Sequence, residues 1–293
     1  MKVAIYGQSF PGNDINCVIE LLDELEKINA KVAIESDFLS LIKDVHSIKD
    51  YDTYALNKGL DSSFDMFVSF GGDGTMLRAV TYVKDLDIPI VGVNTGRLGF
   101  LSTFKKEDVR KVVTEFVAGS FSIQERSLIE INLDHDVAEY GNLNFALNEI
   151  TISRKDTTSM ITIETYLDGE YLTSYWADGL IVSTPTGSTG YSLSCGGPVI
   201  APSTKSLVLT PIAPHNLNAR PFVIPDNTEI RLKVYGREDT HLVSLDSRIA
   251  TIPNEKEIVV KKSDFTIKMV EYKSESFLKT LRNKMLWGED KRN

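Results

Sequence analysis

A glycine-rich run with one carboxylate in its middle is the part of the sequence best suited to chemistry. The run Gly71–Thr75 reads Gly-Gly-Asp-Gly-Thr, follows the apolar stretch 66–70 and precedes the helically spaced stretch 75–84. Glycines let a ligand approach the backbone, and a helix N-terminus offers unpaired N–H groups and a partial positive charge. The run therefore predicts a phosphate-binding turn between a strand and a helix.

The acid in this run, Asp73, is unexpected because a cradle for anions gains nothing from a fixed negative charge. A carboxylate among phosphates suggests a metal contact, a hydroxyl to be held or a proton to be accepted. The alternative is a tight turn in which Asp73 caps the following helix, since Asp is a favoured N-cap residue.

A second glycine-rich loop, 94–101, reads Asn-Thr-Gly-Arg-Leu-Gly-Phe-Leu and follows the next predicted strand. Taken alone, it could be a plain connection between sheet and helix. In parallel sheets, however, ligands bind beyond the carboxyl ends of the strands. Two such loops at one edge therefore favour a binding cleft.

Two further polar segments lie in the second half of the chain. Asn148–Glu149 interrupts an apolar β-pattern and could hold two neighbouring hydroxyls, as acidic residues do on ribose, or could simply face solvent. The segment 177–198 runs from an apolar strand into glycines and small hydroxyl residues, which admit a ligand to the backbone and offer hydrogen bonds. Its alternative interpretation is a turn of small residues.

Several common sites are not indicated by the sequence. There is no Walker A lysine, no G-x-G-x-x-G, no G-x-S-x-G and no zinc spacing among the four histidines. Cys195 is interpreted as a packed small residue rather than a nucleophile.

The elements that must position these segments follow from periodicity. Strands and helices alternate through the first hundred residues, which predicts a parallel sheet covered by helices. The stretch 38–60 is weakly patterned. Predicted strands cover 2–6, 32–34, 65–70 and 88–93. Predicted helices cover 15–28, 75–84 and 107–117, and Gly119 is the residue expected to stop the last one.

The second half is rich in short β-patterned segments, with a hairpin signal at Asp168–Gly169. The last 20 residues return to helical spacing. The predicted fold class is α/β plus β: an α/β parallel-sheet domain at 1–105, a β-rich domain at 106–270 and a tail at 271–293 that packs back on the first domain. The β-patterned segments are 128–133, 145–153, 161–167, 179–184, 206–212, 229–235, 241–245, 256–261 and 265–270.

Composition limits the classes of function. The 293 residues carry a net charge of -9, which disfavours nucleic acid and anionic membranes as partners. Cys17 and Cys195 are the two cysteines, so no disulfide framework is expected. The first residues read as a strand rather than a signal peptide, and no apolar run reaches the ~18 residues of a membrane span. We therefore expect a cytoplasmic protein.

Taken together, the motifs resemble those of the NAD kinase family. Residues 71–75, 94–100, Asn148–Glu149 and 184–198 match the family's motifs in order, and spacing and total length fit from end to end. The segment 277–282 and Trp287–Gly288 resemble the family's tail. The resemblance implies transfer of the γ-phosphoryl group of ATP to the 2′-hydroxyl of the adenosine ribose of NAD, giving NADP.

The resemblance also implies roles for individual residues. Asp73 is the implied catalytic acid–base residue, which orients the hydroxyl and accepts its proton late, because an ordinary Asp with a pKa near 3.9 is too weak a base to act earlier. Asp246 and Arg248 lie in a segment that contributes in relatives. The implied phosphate-binding residues are Gly71, Gly72, Gly74 and Thr75, and the implied NAD-binding residues are Asp73, Gly74, Arg78, Asn148, Glu149, Asp178, Thr189, Gly190, Tyr191, Ser192, Leu193, Ser194, Ala213 and Arg248.

The chain departs from the family pattern at two positions. Gly190 stands where relatives commonly carry Ala, and Trp176 where they often carry a polar residue. The resemblance further implies a divalent ion, Mg²⁺ above all, with ligands that the motifs do not identify, and a homodimer or homotetramer. Without a Walker lysine, triphosphate charge would be met by backbone amides, Mg²⁺ and Arg78 or Arg97.

Two other classes of function share part of the pattern. A lipid kinase of the diacylglycerol or sphingosine type, or a phosphofructokinase-like sugar kinase, would also carry the glycine-rich turn around Asp73. A dinucleotide-binding sensor without turnover would keep the pocket. Asn148–Glu149 and the segment 184–198 favour NAD over a lipid or sugar, and the intact Asp73 favours an enzyme.

Overall fold

The fold is given by a computed structural model that describes residues 1–9, 15–102, 104–133, 137–156, 159–272 and 276–286. The chain divides into two compact units. Unit 1 comprises Met1–Glu125 and the segment that begins at Ile267, and unit 2 comprises Arg126–Thr266. This division differs from the predicted boundary near 105.

Unit 1 alternates strands and helices, as periodicity predicts, and contains the helix Ser36–Val45 and the strands Asp52–Tyr54 and Phe104–Lys105 in addition to the predicted elements. In chain order the elements are β1 (Lys2–Gly7), α1 (Ile15–Lys27), β2 (Lys31–Glu35), α2 (Ser36–Val45), β3 (Asp52–Tyr54), β4 (Met66–Phe70), α3 (Asp73–Val83), β5 (Ile90–Asn94), β6 (Phe104–Lys105), a 3-10 turn (Lys106–Asp108), α4 (Val109–Val117) and the start of β7 (Phe121–Leu133).

The unit 1 sheet is parallel in the order β3-β2-β1-β4-β5, with β6 also parallel to β5. Apolar side chains of these strands and of the covering helices form one core, to which α4 contributes Val109, Val112 and Val113. Because α4 buries its apolar face in this core, residues 106–125 lie in unit 1 and not beyond the boundary predicted at 105.

The weakly patterned stretch 38–60 contains most of α2 and all of β3. Helix α2 buries Phe38, Leu39 and Ile42, and the Glu35 carboxylate accepts the Phe38 N–H at 2.9 Å as its cap. Phe38, Leu39 and Ile42 do have helical spacing, so the signal for α2 was present in the sequence although no helix was predicted there. The parallel β-sheet class nevertheless stands as predicted.

Unit 2 is built almost entirely of strands, as predicted. They are the rest of β7, β8 (Phe145–Ala146), β9 (Glu149–Ser153), β10 (Ile161–Leu167), β11 (Glu170–Ala177), β12 (Gly179–Ser183), β13 (Ser206–Ile212), β14 (Phe222–Pro225), β15 (Ile230–Tyr235), β16 (Thr240–Leu245), β17 (Arg248–Pro253) and most of β18 (Glu257–Tyr272), with a 3-10 turn (Gly187–Thr189) and α5 (Tyr191–Ser194).

Six of these strands form an antiparallel sheet in the order β14-β13-β12-β9-β16-β17. The others include the antiparallel run β11-β10-β15-β18. Buried and partly exposed residues alternate along β10, β15 and β16, so each turns one face to a shared apolar core.

The predicted hairpin at Asp168–Gly169 joins β10 to β11. Both residues have positive φ, 49° and 84°, as a two-residue turn between twisted antiparallel strands requires. The segments predicted at 256–261 and 265–270 form one continuous strand, β18, whose last part pairs in parallel with β5 through Met269 and Ile90.

The tail forms α6 (Phe277–Met285), capped by the Ser276 hydroxyl, which accepts the Lys279 N–H at 3.2 Å. Its Phe277 ring lies 6.3 Å from the Phe100 ring in unit 1, so the tail packs back on the first unit as predicted. Trp287–Gly288 lies outside the described residues. Within the described ranges, no helix combines the length and apolar character that crossing a bilayer requires.

Candidate active site

Asp73 joins the two glycine-rich loops of unit 1. It is the first residue of α3, whose N-cap is Gly72. Its Oδ2 accepts the Phe100 N–H at 2.8 Å, and its Oδ1 accepts the N–H groups of Leu101 and Ser102 at 2.9 and 3.3 Å. The alternative in which Asp73 caps its own helix is therefore wrong: the carboxylate holds the neighbouring loop.

The two loops meet because their strands are adjacent. Strands β4 and β5 pair in register through Phe70 and Val93, and the Gly71 N–H donates to the Val93 carbonyl at 2.9 Å. A Cβ at Gly99 would overlap the Asp73 carboxylate, so only glycine fits there. The predicted cleft edge thus consists of two loops tied together by one side chain.

The glycine-rich turn is open on its outer side. Gly71 has φ of 151° and no room for a Cβ, which would overlap the Thr75 side chain. A Cβ at Gly72 or Gly74 would meet nothing within 4 Å. The positive end of the 11-residue α3 is therefore accessible to an anion beside the Asp73 carboxylate.

The other loop is shaped by its own Asn94. The Asn94 side chain accepts the Gly96 N–H at 2.8 Å and donates to the Arg97 carbonyl at 3.0 Å. Arg97 and Arg78 are both exposed. When the Gln8 amide is oriented with its oxygen towards Arg78, that oxygen accepts from Arg78 Nε and Nη1 at 3.2 Å, near the end of β1.

In unit 2, Asn148 and Glu149 lie where β9 begins, and their backbone is held by Asp246. Asp246 Oδ2 accepts the Leu147 N–H at 2.9 Å, and Oδ1 accepts those of Asn148 and Glu149 at 2.8 and 3.2 Å. The Asp246 N–H in turn donates to the Glu149 carbonyl at 3.0 Å. The backbone N–H and carbonyl groups of Asn148 and Glu149 are therefore all hydrogen-bonded.

The side chains of the same pair are not saturated. Asn148 Oδ1 and Glu149 Oε2 are buried and have no hydrogen-bond partner among the described residues. Burial and the charge of Asp246 raise the pKa of Glu149 to about 8. Buried polar atoms are normally paired, so these two neighbouring unpaired oxygens point to a ligand with hydroxyl groups, such as those of ribose, which can donate to Asn148 Oδ1 and either donate to or accept from the Glu149 carboxyl.

The small residues that follow β12 pack on this pair. Thr184 donates from its backbone to the Asn148 carbonyl at 2.9 Å, and a Cβ at Gly187 would overlap that carbonyl. A Cβ at Gly190 would lie 3.2 Å from Glu149 Oε2 and 3.6 Å from Asn148 Nδ2. Gly190 thus borders the unpaired Glu149 Oε2 and the Asn148 amide nitrogen, and an Ala there would narrow the space beside these two side chains.

Other residues implied to bind NAD are engaged within the protein. The Ser192 hydroxyl is 2.8 Å from Thr210 Oγ1 in the interior, and Asp178 pairs with Arg154 at 2.9 Å. Arg248 donates to the Phe145 carbonyl and to that of residue 143, so it supports the chain before Asn148–Glu149.

The remaining residues implied to bind NAD lie within the segment 184–198, except for Ala213. The Thr189 hydroxyl donates to the Thr186 carbonyl at 3.3 Å, Leu193 is half-buried, and Tyr191 and Ser194 are exposed. Ala213 follows β13, is exposed and has φ of 44°.

Sequence reasoning missed how these loops are held. The family resemblance indicated Asp246 only as lying in a contributing segment. The hydrogen bonds from the loop around Gly99 to the Asp73 carboxylate were not predicted. A signal existed for Asp246, because an Asp between two alternating β-patterns favours a turn with positive φ, here 53°. Within the described residues, no group of three or more His, Cys, Asp or Glu side chains could hold a metal ion.

Comparison with known families accounts for both units. The ATP-NAD kinase N-terminal domain family matches residues 16–121, and the ATP-NAD kinase C-terminal domain family matches residues 147–272. Together the matches cover unit 1 from α1 to the start of β7 and most of unit 2.

Individual relatives agree over the whole length. The chain is 56% identical to an NAD kinase of Christiangramia forsetii and 40% identical to one of Bacteroides fragilis, each over 100% of both chains. It resembles the crystal structure of yeast NADH kinase complexed with NADH, with a TM-score of 0.86 and 25% identity over 99% of this chain and 89% of the other. It also resembles an NAD kinase from Archaeoglobus fulgidus in complex with ATP, with a TM-score of 0.73 and 26% identity over 97% and 96% of the two chains. On these matches, the chain belongs to the NAD kinase family.

Proposed function

We propose that Asp73 is the catalytic residue of this ATP-dependent NAD kinase, which transfers the γ-phosphoryl group of ATP to the 2′-hydroxyl of the adenosine ribose of NAD. The observation that carries the assignment is the position of its carboxylate at the open, positive end of α3, between Gly72 and Gly74. Phosphate and an incoming hydroxyl can meet there.

The hydrogen bonds of Asp73 leave one acceptor position on its carboxylate for the substrate. An ionised carboxylate offers about four acceptor positions, and three backbone N–H groups occupy three of them. The remaining position can accept the 2′-hydroxyl proton. The ribose oxygen forms the new bond to the γ-phosphorus, the bond to the bridging oxygen breaks, ADP leaves and Asp73 takes the proton as the new bond forms.

Unit 2 supplies the recognition of NAD in this proposal. Asn148 Oδ1 and the Glu149 carboxyl hold neighbouring hydroxyls, and Gly190 leaves the space for them. The other residues proposed to contribute to the NAD site are Gly74, Arg78, Asp178, Thr189, Tyr191, Ser192, Leu193, Ser194, Ala213 and Arg248. Ser192 and Arg248 contribute by shaping the site, since their polar groups bond within the protein.

Phosphate binding falls to Gly71, Gly72, Gly74 and Thr75, where the turn is open to an anion. Mg²⁺ fits as an ion carried mainly by the triphosphate, because Asp73 is the single carboxylate in this turn and its oxygens already accept N–H bonds. When bound, it would neutralise charge on the phosphates.

We further propose a homodimer or homotetramer in the cytoplasm. Family resemblance supports the assembly. The compartment is supported by the low cysteine content, since Cys17 and Cys195 are too few for a disulfide framework.

Replacement of Asp73 by Asn tests the catalytic assignment. Asp73→Asn should lose nearly all kcat in an assay that couples NADP formation to a dehydrogenase, while calorimetry should show NAD affinity largely kept. Asp85→Asn, on an exposed Asp just after the same helix, is the matched control and should keep full turnover. Undiminished kcat in Asp73→Asn would refute the role.

A further inference from the structure

We propose that Asp246 is a positioning residue for NAD binding, which saturates the backbone of Leu147–Glu149 so that the side chains of Asn148 and Glu149 stay free for the ligand. The inference rests on the proposed role of Asn148 and Glu149 in holding hydroxyls. It assigns to Asp246 no contact with NAD.

The geometry is that of a clamp between two segments distant in sequence. Three consecutive N–H groups, from Leu147 to Glu149, converge on the Asp246 carboxylate at 2.8 to 3.2 Å. The Asp246 backbone returns a hydrogen bond to the Glu149 carbonyl. The positive φ of Asp246, 53°, directs both its side chain and its N–H at the start of β9.

This saturation decides where the polar side chains of the pair can go. Asn and other short polar side chains readily bond to free backbone N–H groups near them in the chain. With all three N–H groups taken by Asp246, the oxygens of Asn148 and Glu149 have no local donor. They remain buried without a partner among the described residues, as a preformed site for hydroxyls requires.

Asp246 also sets the charge of the site. The groups that face Glu149 are Asp246, from the turn after β16, and the uncharged Gly190 and Asn148. Burial raises the pKa of Asp246, while the three N–H groups and Arg248, from β17, act in the opposite direction and favour its ionised form. The Asp246 charge therefore works with burial to keep the Glu149 carboxyl protonated near neutral pH.

The test uses the full-length protein and three single variants: Asp246→Asn, Glu149→Gln and, as control, Asp264→Asn on an exposed position of β18. NAD affinity is measured by calorimetry from pH 6 to 9, and amide hydrogen exchange is followed at residues 147–149. Thermal unfolding identifies variants that fail to fold. The double variant Asp246→Asn with Glu149→Gln completes the cycle.

Three results are expected of Asp246→Asn. NAD affinity falls at least tenfold, and the amides of 147–149 exchange faster. Wild-type NAD affinity changes with pH as Glu149 titrates, and Glu149→Gln abolishes this change. In Asp246→Asn the same change in affinity occurs at lower pH, because a like charge has been removed from beside Glu149. In the double variant this pH shift vanishes, and Asp264→Asn behaves as the wild type.

Other results would overturn the inference in distinguishable ways. If Glu149→Gln leaves NAD affinity unchanged, the proposed hydroxyl site is wrong and the role of Asp246 falls with it. If Glu149→Gln weakens binding but Asp246→Asn shifts neither the pH dependence nor the exchange at 147–149, the site stands and Asp246 is not its positioning residue. If Asp246→Asn lowers thermal stability and affinity without moving the pH dependence, its role is structural only.

Discussion

At the scale of residues, two aspartates do the same physical work in different units. Asp73 receives the N–H groups of Phe100, Leu101 and Ser102, and Asp246 receives those of Leu147–Glu149. Charged acceptors form the stronger hydrogen bonds, so each fixes a loop without regular secondary structure. The acid that was unexpected in a phosphate turn thus also organises the neighbouring loop.

The contact between Gly99 and Asp73 gives a prediction that leaves the acid in place. Gly99→Ala should lower kcat at least tenfold, because its Cβ must displace the Asp73 carboxylate. Gly96→Ala, in the same loop, meets nothing within 4 Å and should keep kcat within about twofold. NADP formation measured for both variants decides the matter; equal kcat values would contradict the contact.

The raised pKa of Glu149 predicts how stability of the ligand-free protein depends on pH. Between an unfolded pKa of ~4.3 and the folded pKa of about 8, native Glu149 keeps a proton that the unfolded chain has lost. The contribution of Glu149 to the free energy of unfolding is therefore fully present below pH ~4.3 and is lost as the pH rises through the folded pKa of about 8. Glu149→Gln should unfold at a higher temperature than the wild type at pH 8.5, with a smaller difference at pH 5.5.

The control for this measurement is Glu170→Gln, on an exposed position of the Asp168–Gly169 hairpin. It should follow the wild type at both pH values in thermal unfolding. A Glu149→Gln protein that is less stable than the wild type at pH 8.5 would mean that Glu149 is ionised without cost in the folded state.

At the scale of elements, adjacent strands explain why the sequence could locate the unit 1 site. Glycine loops after β4 and β5 must lie side by side once these strands pair in parallel. Neither α2 nor the continuity of β18 was predicted, although the buried residues of α2 do have helical spacing. Periodicity could not show that Ser192 turns inward to Thr210, because hydroxyl side chains suit both a ligand and the interior.

The turn between β10 and β11 gives a prediction at this scale. Gly169→Val should destabilise the protein by ~1–2 kcal/mol, because φ of 84° is costly for a residue with a Cβ, above all a branched one. Gly169→Asn should cost less, since Asn tolerates positive φ. Denaturant unfolding ranks the two, and equal losses would contradict a backbone origin.

At the scale of the whole molecule, the family's two domain matches correspond to two units with separate cores. The chain enters unit 2 at Arg126 and returns to unit 1 at Ile267, so unit 1 is built from both ends of the sequence. Composition indicates where strands dominate, but only packing shows that α4 belongs with the first core.

A buried histidine predicts the response of the molecule to acid. Burial lowers the pKa of His241, which is fully buried in β16, whereas the unfolded chain protonates it near pH 6.5. Below that pH the unfolded state binds more protons than the folded state. The contribution of neutral His241 to stability is therefore fully present above pH ~6.5 and is lost as the pH falls below it. His241→Gln should show a smaller loss of melting temperature between pH 7.5 and 5.5.

The exposed His46 supplies the control. His46→Gln should lose as much melting temperature on acidification as the wild type does. If His241→Gln also matches the wild type, protonation of His241 does not govern acid stability.

The sequence by itself determined the family, the alternation of strand and helix, the β-rich second half and the segments that carry the chemistry. These are local properties: periodicity, turn residues and short motifs are read along the chain. Tertiary structure decided which polar groups remain free. Among the described residues, Asn148 Oδ1 and Glu149 Oε2 have no hydrogen-bond partner, while Asp246, about a hundred residues away, accepts the N–H groups beside them. Hydrogen-bond partners distant in sequence leave no local signal, so only folding could assign them.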